Sequence, residues 1–234
     1  MLLSEVLTYL AQGDLRNLAI GGDGSGVIPE KHQPTIIGHI NLALTELHTR
    51  FPLKERELTI QQFDHIEFYK LTKEYSATSG TAEHKYIIDT EECPFTDDII
   101  RIETAYNEIG CEVPLNDYTL DTSLFTPAYN VIQIPLPVGT NTSLFIYRAN
   151  HPLIPVEGTD PTTTEVDLPY TFLEALMFYV AQRVYSNKSG NEGQAMASTY
   201  KIKYEAACEF LTQHNAANDS YTISNTKPMM NYWP

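Results

Sequence analysis

The chain of 234 residues carries 30 acidic and 15 basic side chains, a formal charge of −15, and is 42% hydrophobic. A surface that acidic repels phosphate backbones and anionic bilayers, which argues against tight nucleic-acid or membrane-surface binding, and no run approaches the roughly 20 apolar residues that span a bilayer. Three widely spaced cysteines, Cys93, Cys111 and Cys208, lack C-x-x-C spacing and fit reduced thiols better than a disulfide framework or a zinc site.

The opening residues have no basic n-region and are interrupted by Glu5, Gln12, Asp14 and Arg16, so they do not read as a signal peptide. Synthesis in a cytoplasm is expected. Leu2, Leu3, Val6, Leu7 and Leu10 recur at helical spacing and predict a short first helix, with Glu5 in the turn where acidic charge is favoured. The stretch AIGGDGSGVIPE follows, with Gly21, Gly22, Gly24 and Gly26 inside six residues. A second helix is predicted from near Pro34, its apolar face carried by Ile36, Ile37, Ile40, Leu44 and Leu47, and Pro52 ends it.

From Glu57 the pattern changes to short runs rich in β-branched and aromatic residues: ELTIQQF, HIEFYKLTKEY, KYIID, DDIIRIETAYNEIG, YNVIQIPL and TSLFIYRA. Period-two alternation, as in Ile132, Ile134 and Leu136 against Val131 and Gln133, predicts antiparallel strands; DDIIRIETAY reads as one carrying Ile100, Ile102 and Tyr106. TDPTTTEVD reads as a polar linker. Helical spacing then returns at Leu173, Leu176, Met177, Val180, Ala181 and Val184, with Thr171 and Glu174 spaced as a capping box behind Pro169. After SNKSGNEG a last helix aligns Met196, Tyr200, Tyr204, Ala207 and Leu211, and sets Lys201 against Glu205 at i,i+4.

The expected fold is therefore α+β. Residues 1–56 and 168–215 form a small helical bundle, 57–167 an inserted antiparallel β domain of sandwich or barrel type, and 216–234 an extended C-terminal tail.

Chemistry is sparsely signalled. The glycine loop lacks the lysine and Ser/Thr of a phosphate-binding loop, and Asp23 would repel phosphate, so it reads as a flexible connector, a hinge at Gly21, Gly22, Gly24 and Gly26. The seven histidines have no metal-ligand spacing. The pairs Glu91 with Glu92 and Asp97 with Asp98 read as solvated loop charge, since sequence neighbours on a strand point apart. GDGSG places serine fourth and so is not a nucleophile elbow. No enzymatic activity, cofactor or metal is expected. Tyr69, Tyr75, Tyr86, Tyr129 and Tyr147 admit a ligand-stacking surface but read first as packing.

Two segments carry a resemblance. IGHINLALTELHTRFPLKERELTI, with Asn41, Leu44, Leu47, Arg50 and Phe51, and LPYTFLEALMFYVAQRVYSNKSGNEGQAMASTYKIKYEAAC, with Pro169, Ala175, Leu176, Tyr179, Val180, Ala181 and Arg183, resemble the head-to-tail adaptor (connector) proteins of tailed bacteriophages. The likeness covers the terminal helical thirds; the β segment matches in position only. It implies a non-enzymatic virion protein made in the host cytoplasm. Such proteins form a ring, typically dodecameric, that docks under the portal protein and receives the next tail component, be it nozzle, stopper or tail tube. The ring leaves a channel through which genomic DNA passes without specific binding. The resemblance also implies a C-terminal segment inserted against the portal, for which Tyr221, Met229, Met230, Tyr232 and Trp233 are the anchor candidates. The alternatives are a carbohydrate-binding or hydrolytic tail protein using the β domain, and another connector component such as a stopper or tail-completion protein.

Overall fold

The computed structural model describes residues 1–214 and 216, and the anchor candidates Tyr221, Met229, Met230, Tyr232 and Trp233 lie outside them. The described chain is α+β and divides into two compact units: Met1–Leu53 together with the described residues from Pro152 onward, and Lys54–His151. No helix among the described residues is long and apolar enough to cross a membrane.

The first unit is helical. Helix α1 (Leu3–Gln12) buries Leu3, Val6, Leu7, Leu10 and Ala11, and the Glu5 carboxylate accepts the Leu2 N–H at 3.0 Å. Its first free amides are taken by a distant segment: Leu3 N–H donates to Thr164 O and Ser4 N–H to Pro161 O, each at 2.9 Å, while Val166 N–H donates to Met1 O at 2.8 Å. The polar stretch read as a linker is thus the partner that satisfies the orphan donors every helix start presents. It packs with the helices, and Val166 is buried there.

Helix α2 (Gln33–Arg50) ends where Pro52 forbids a further turn, with Phe51 N–H donating to Leu47 O at 2.8 Å. Helix α3 (Leu173–Ser186) buries Ala175, Leu176, Val180, Ala181, Val184 and Tyr185. The Thr171–Glu174 capping box does not form. Pro169 starts a 3₁₀ turn over Tyr170–Phe172, closed by Phe172 N–H to Pro169 O at 3.0 Å, so Thr171 sits inside a turn and Phe172 takes the cap position without a side-chain bond. Gly190, at φ +103°, reverses the chain into α4 (Asn191–Gln213), which buries Tyr200, Tyr204, Cys208 and Leu211. The two helices form an antiparallel hairpin held by ring contacts Phe178–Tyr200, Tyr185–Tyr200 and Tyr179–Tyr204, with centroids 5.3 to 6.2 Å apart.

The second unit has eight strands among its described residues, in chain order β1 (Glu55–Gln61), β2 (Phe68–Lys70), β3 (Ile87–Ile88), β4 (Ile99–Tyr106), β5 (Glu112–Val113), β6 (Phe125–Ala128), β7 (Val131–Gln133) and β8 (Thr142–Ala149). They form a five-stranded antiparallel sheet ordered β3-β1-β8-β4-β5 and a three-stranded one ordered β2-β7-β6. One apolar cluster draws on both, Leu58, Ile60, Phe145 and Tyr147 from the first and Tyr69 and Ile132 from the second. Both sheets keep open edges, so no barrel closes. Central β8 alternates without interruption, burying Ser143, Phe145, Tyr147 and Ala149. Strand β4 does not: register shifts after Ile99 and Ile102 make its buried residues Ile99, Ile102 and Ala105, three apart, so that of the expected Ile100, Ile102 and Tyr106 Ile102 alone is buried.

Candidate functional site

The resemblance-bearing residues are mostly core. Asn41, Leu44, Leu47 and Phe51 of the first segment and Ala175, Leu176, Val180 and Ala181 of the second are buried, and Arg183 and Pro169 are exposed. Asn41 acts as a strand would. Its Nδ2 donates to Ile154 O at 2.8 Å and its Oδ1 accepts the Ile154 N–H at 3.1 Å, both buried, so one side chain pairs both backbone groups of the segment returning to the helices. Arg50 leaves α2 to pair with α4: its Nη1 lies 2.8 Å from Glu205 Oε2, and its guanidinium sits 5.9 Å from the Phe51 ring and 5.8 Å from that of Tyr204. Burial opposes the Arg50 charge, yet the Glu205 bond and the neighbouring charges raise its pKa. The Glu205 partner is therefore Arg50 across the helix pair, where the i,i+4 spacing had suggested Lys201.

The glycine loop is folded. Gly21 closes a 3₁₀ turn over Ala19–Gly21 and is buried, and Gly22, Asp23, Gly24 and Gly26 all have positive φ, from +49° to +92°. Successive amides are satisfied locally: Gly21 N–H by Leu18 O, Asp23 N–H by Leu18 O, Gly24 N–H by Arg16 O and Ser25 N–H by Gly22 O, at 2.7 to 3.0 Å. A Cβ on Gly21 would lie 1.9 Å from Leu15 O and one on Gly22 2.1 Å from Val27 O, whereas Gly24 faces open space. Glycine is thus demanded by close approach at the first two positions and by backbone sign at the others.

In the β unit the residues between β3 and β4 form a loop organised by Asp89. Its carboxylate accepts the Ser76 and Thr78 hydroxyls, each at 2.7 Å, and the Thr78 and Phe95 amides, each at 3.0 Å. Burial alone would raise its pKa; the Phe95 amide, the two hydroxyls and the Thr78 amide outweigh it and hold the carboxyl well below the usual range. A carboxylate so engaged is a structural acceptor and a weak base. Nearby, Arg56 Nη1 donates to Thr96 Oγ1 at 2.6 Å and Asp98 Oδ2 at 3.2 Å, and Tyr147 OH donates to Asp98 Oδ1 at 2.9 Å. Burial first, then the Asp98 charge, keeps the Tyr147 phenol protonated. Between β1 and this loop lies a cleft of about 300 Å³ lined by Arg56, Glu57, Leu58, Ile88, Cys93 and Phe95 among others.

No protein-family model matches the chain, and no curated protein matches it.

Among the described residues no three His, Cys, Asp or Glu side chains gather to hold a metal ion. Of the five tyrosines, Tyr69, Tyr86 and Tyr147 are buried, Tyr75 stacks on Tyr86 with centroids 4.6 Å apart, and Tyr129 stands 65% exposed; they do not line up as one platform. Asp89 escaped the sequence reading because its donors come from Ser76, Thr78 and Phe95, a grouping without local periodicity. The weak signal available was an acidic residue directly after the apolar pair Ile87–Ile88, a few residues beyond the Ser/Thr-rich stretch 76–81.

Proposed function

We propose that the protein is a structural virion component, a head-to-tail adaptor. Copies of it form a ring, of about a dozen by resemblance, that joins the portal to the next tail component and leaves a channel for the genome. The observation that carries this reading is the convergence of the two resemblance-bearing segments, more than a hundred residues apart, into one helical core. Leu44, Leu47 and Phe51 join Ala175, Leu176, Val180 and Ala181 in a single apolar cluster, and the Phe51 ring meets that of Phe172 edge-on at 5.0 Å. Most of the side chains that match the pattern help to hold α2 to α3 and α4, while the β unit interrupts the chain between them, as an insertion into an adaptor would. Helix α4 also presents Ile202, 70% exposed, and Phe210, 58% exposed, on the face turned from this core, which supplies apolar area for contact with a neighbouring subunit.

Electron microscopy of the purified protein with and without portal protein tests the reading. Closed rings seated on the portal are expected, because heterologous contacts form rings only where the rotation between copies closes. Absence of rings in both samples overturns it. Capture of tail-tube protein in place of portal would assign the chain to another connector position.

A further inference from the structure

The β unit has an unfinished ladder. Gln62 N–H donates to Asn141 O and Ala149 N–H to Lys54 O, each at 2.9 Å, so even-numbered residues of β1 turn their backbone groups toward β8. Gln61 N–H donates to Tyr86 O at 2.8 Å, so odd-numbered residues face the other side, where β3 pairs as Thr59 with Ile88 and Ile60 with Ile87. The next rung would set Glu57 opposite Thr90. It is not made: the chain turns away at Thr90, whose O and Oγ1 both accept the Cys93 N–H, at 3.2 and 3.1 Å. Among the described residues β1 therefore runs on past the end of β3: Glu57, which lines the cleft, and Glu55 before it turn N–H and C=O to the β3 side with no strand beside them.

That cleft is a formed place. Its far wall is fixed by the four hydrogen bonds to Asp89, and its floor is apolar, with Leu58 and Phe95 buried and Ile88 46% exposed. A volume of about 300 Å³ stands at the low end of ligand pockets, about 300–1,000 Å³, and suits one anchoring side chain with the backbone beside it. The rim is acidic. Glu55 and Glu57 are exposed on the strand, Glu91 and Glu92 on the facing loop, and the unit as a whole has 16 acidic side chains against 7 Lys and Arg. The one cation in the lining, Arg56, is engaged by Thr96 and Asp98.

We propose that this edge of β1 binds a partner by strand addition. The occupant is an extended peptide segment that hydrogen-bonds to the Glu57 backbone, drops one aliphatic or aromatic side chain onto Leu58, Ile88 and Phe95, and carries lysine or arginine on either side of that anchor. Main-chain bonds supply affinity, the apolar notch sets register, and the rim selects charge. The inference concerns the β unit alone and stands whether or not the protein is an adaptor.

The test titrates the full-length protein with a fluorescein-labelled octapeptide alternating lysine and leucine, followed by anisotropy and by amide NMR shifts. Saturable binding centred on the Glu57 and Cys93 amides is expected, weakening with added salt. A glutamate–leucine peptide should bind at least about tenfold more weakly, a penalty of about 1.4 kcal/mol. Glu57→Pro removes the outward N–H while sparing the β8 ladder, and should cost at least about tenfold in affinity, whereas Glu57→Gln keeps the backbone bonds and costs less. A lysine–leucine peptide N-methylated at alternate residues tests the same bonds without altering the protein. Equal binding of methylated and unmethylated peptides, shifts elsewhere on the molecule, or no saturation would overturn the proposal. Self-association lost in Glu57→Pro would overturn it too, by making a second copy the occupant.

Discussion

Asn41 occupies a place where an apolar helix residue would leave two backbone groups of Ile154 stranded in the core. Because both of its amide atoms are used and both bonds are buried, Asn41→Ala should cost about 2–4 kcal/mol, and Asn41→Asp about as much by presenting an acceptor where a donor is needed. Urea denaturation of the two variants checks this; a loss below about 0.5 kcal/mol would leave the amide without its assigned role. Asp89 makes a different prediction. Its folded pKa lies below the unfolded value, so its contribution is present above that value, about 3.9, and is lost as pH falls through and beneath it. Asp89→Asn should therefore be less stable than the parent at neutral pH and show a shallower loss of stability below about pH 4, which acid titration by circular dichroism would reveal. The resemblance singled out Asn41 but not its task, since Ile154 lies 113 residues away; for Asp89 even the position was invisible, because no single segment holds its donors.

At the level of elements, legibility followed periodicity. Strand β8 coincides with the run TSLFIYRA because its alternation is unbroken, whereas β4 kept its location but, of its predicted face, only Ile102, its register shifting in the manner of a bulge at two places. A bulge is a backbone event with no reliable side-chain signature. The capping-box error at Thr171 has the same origin, a 3₁₀ turn imposed by Pro169. The glycine loop is the instructive case: a flexible connector in composition, yet bonded amide by amide in the fold. Its behaviour under alanine substitution should be position-specific. Gly21→Ala and Gly22→Ala bring a methyl into carbonyl oxygens and should each cost at least about 2 kcal/mol, whereas Gly24→Ala, in open space at φ +85°, should cost about 1–2. Thermal unfolding of the three variants distinguishes this from a passive tether, for which all three would be silent. Any hinge action of this loop would have to begin by breaking those bonds, so Gly24 is the position at which to stiffen it without destroying it first.

For the whole molecule, the order helix, sheet, helix was plain from the change of period near Glu57 and back near Leu173, while the boundary of the units was not. The stretch 159–167 is polar enough to read as a linker, but its carbonyls are what α1 requires. The acidic balance bears on the adaptor reading. A conduit for DNA works best when its wall carries few cationic groups to displace the duplex's own counterions, and a chain of charge −15 should leave duplex DNA unshifted in a gel even at low ionic strength. Retardation of the duplex at low salt would argue for a gripping surface and against a passage.

The clasp between Met1, Leu3 and Ser4 and residues 161–166 also sets a timetable. Helix α1 emerges from the ribosome before the β unit but receives the carbonyls that cap it only after the whole of that unit has been made. At about 5–20 residues per second, the ~110 residues between Leu53 and Thr164 occupy roughly 6–20 s of synthesis. Throughout that interval Leu3, Val6, Leu7 and Leu10 have no finished core to enter, and the helical unit is completed only after the β unit although α1 and α2 are made before it.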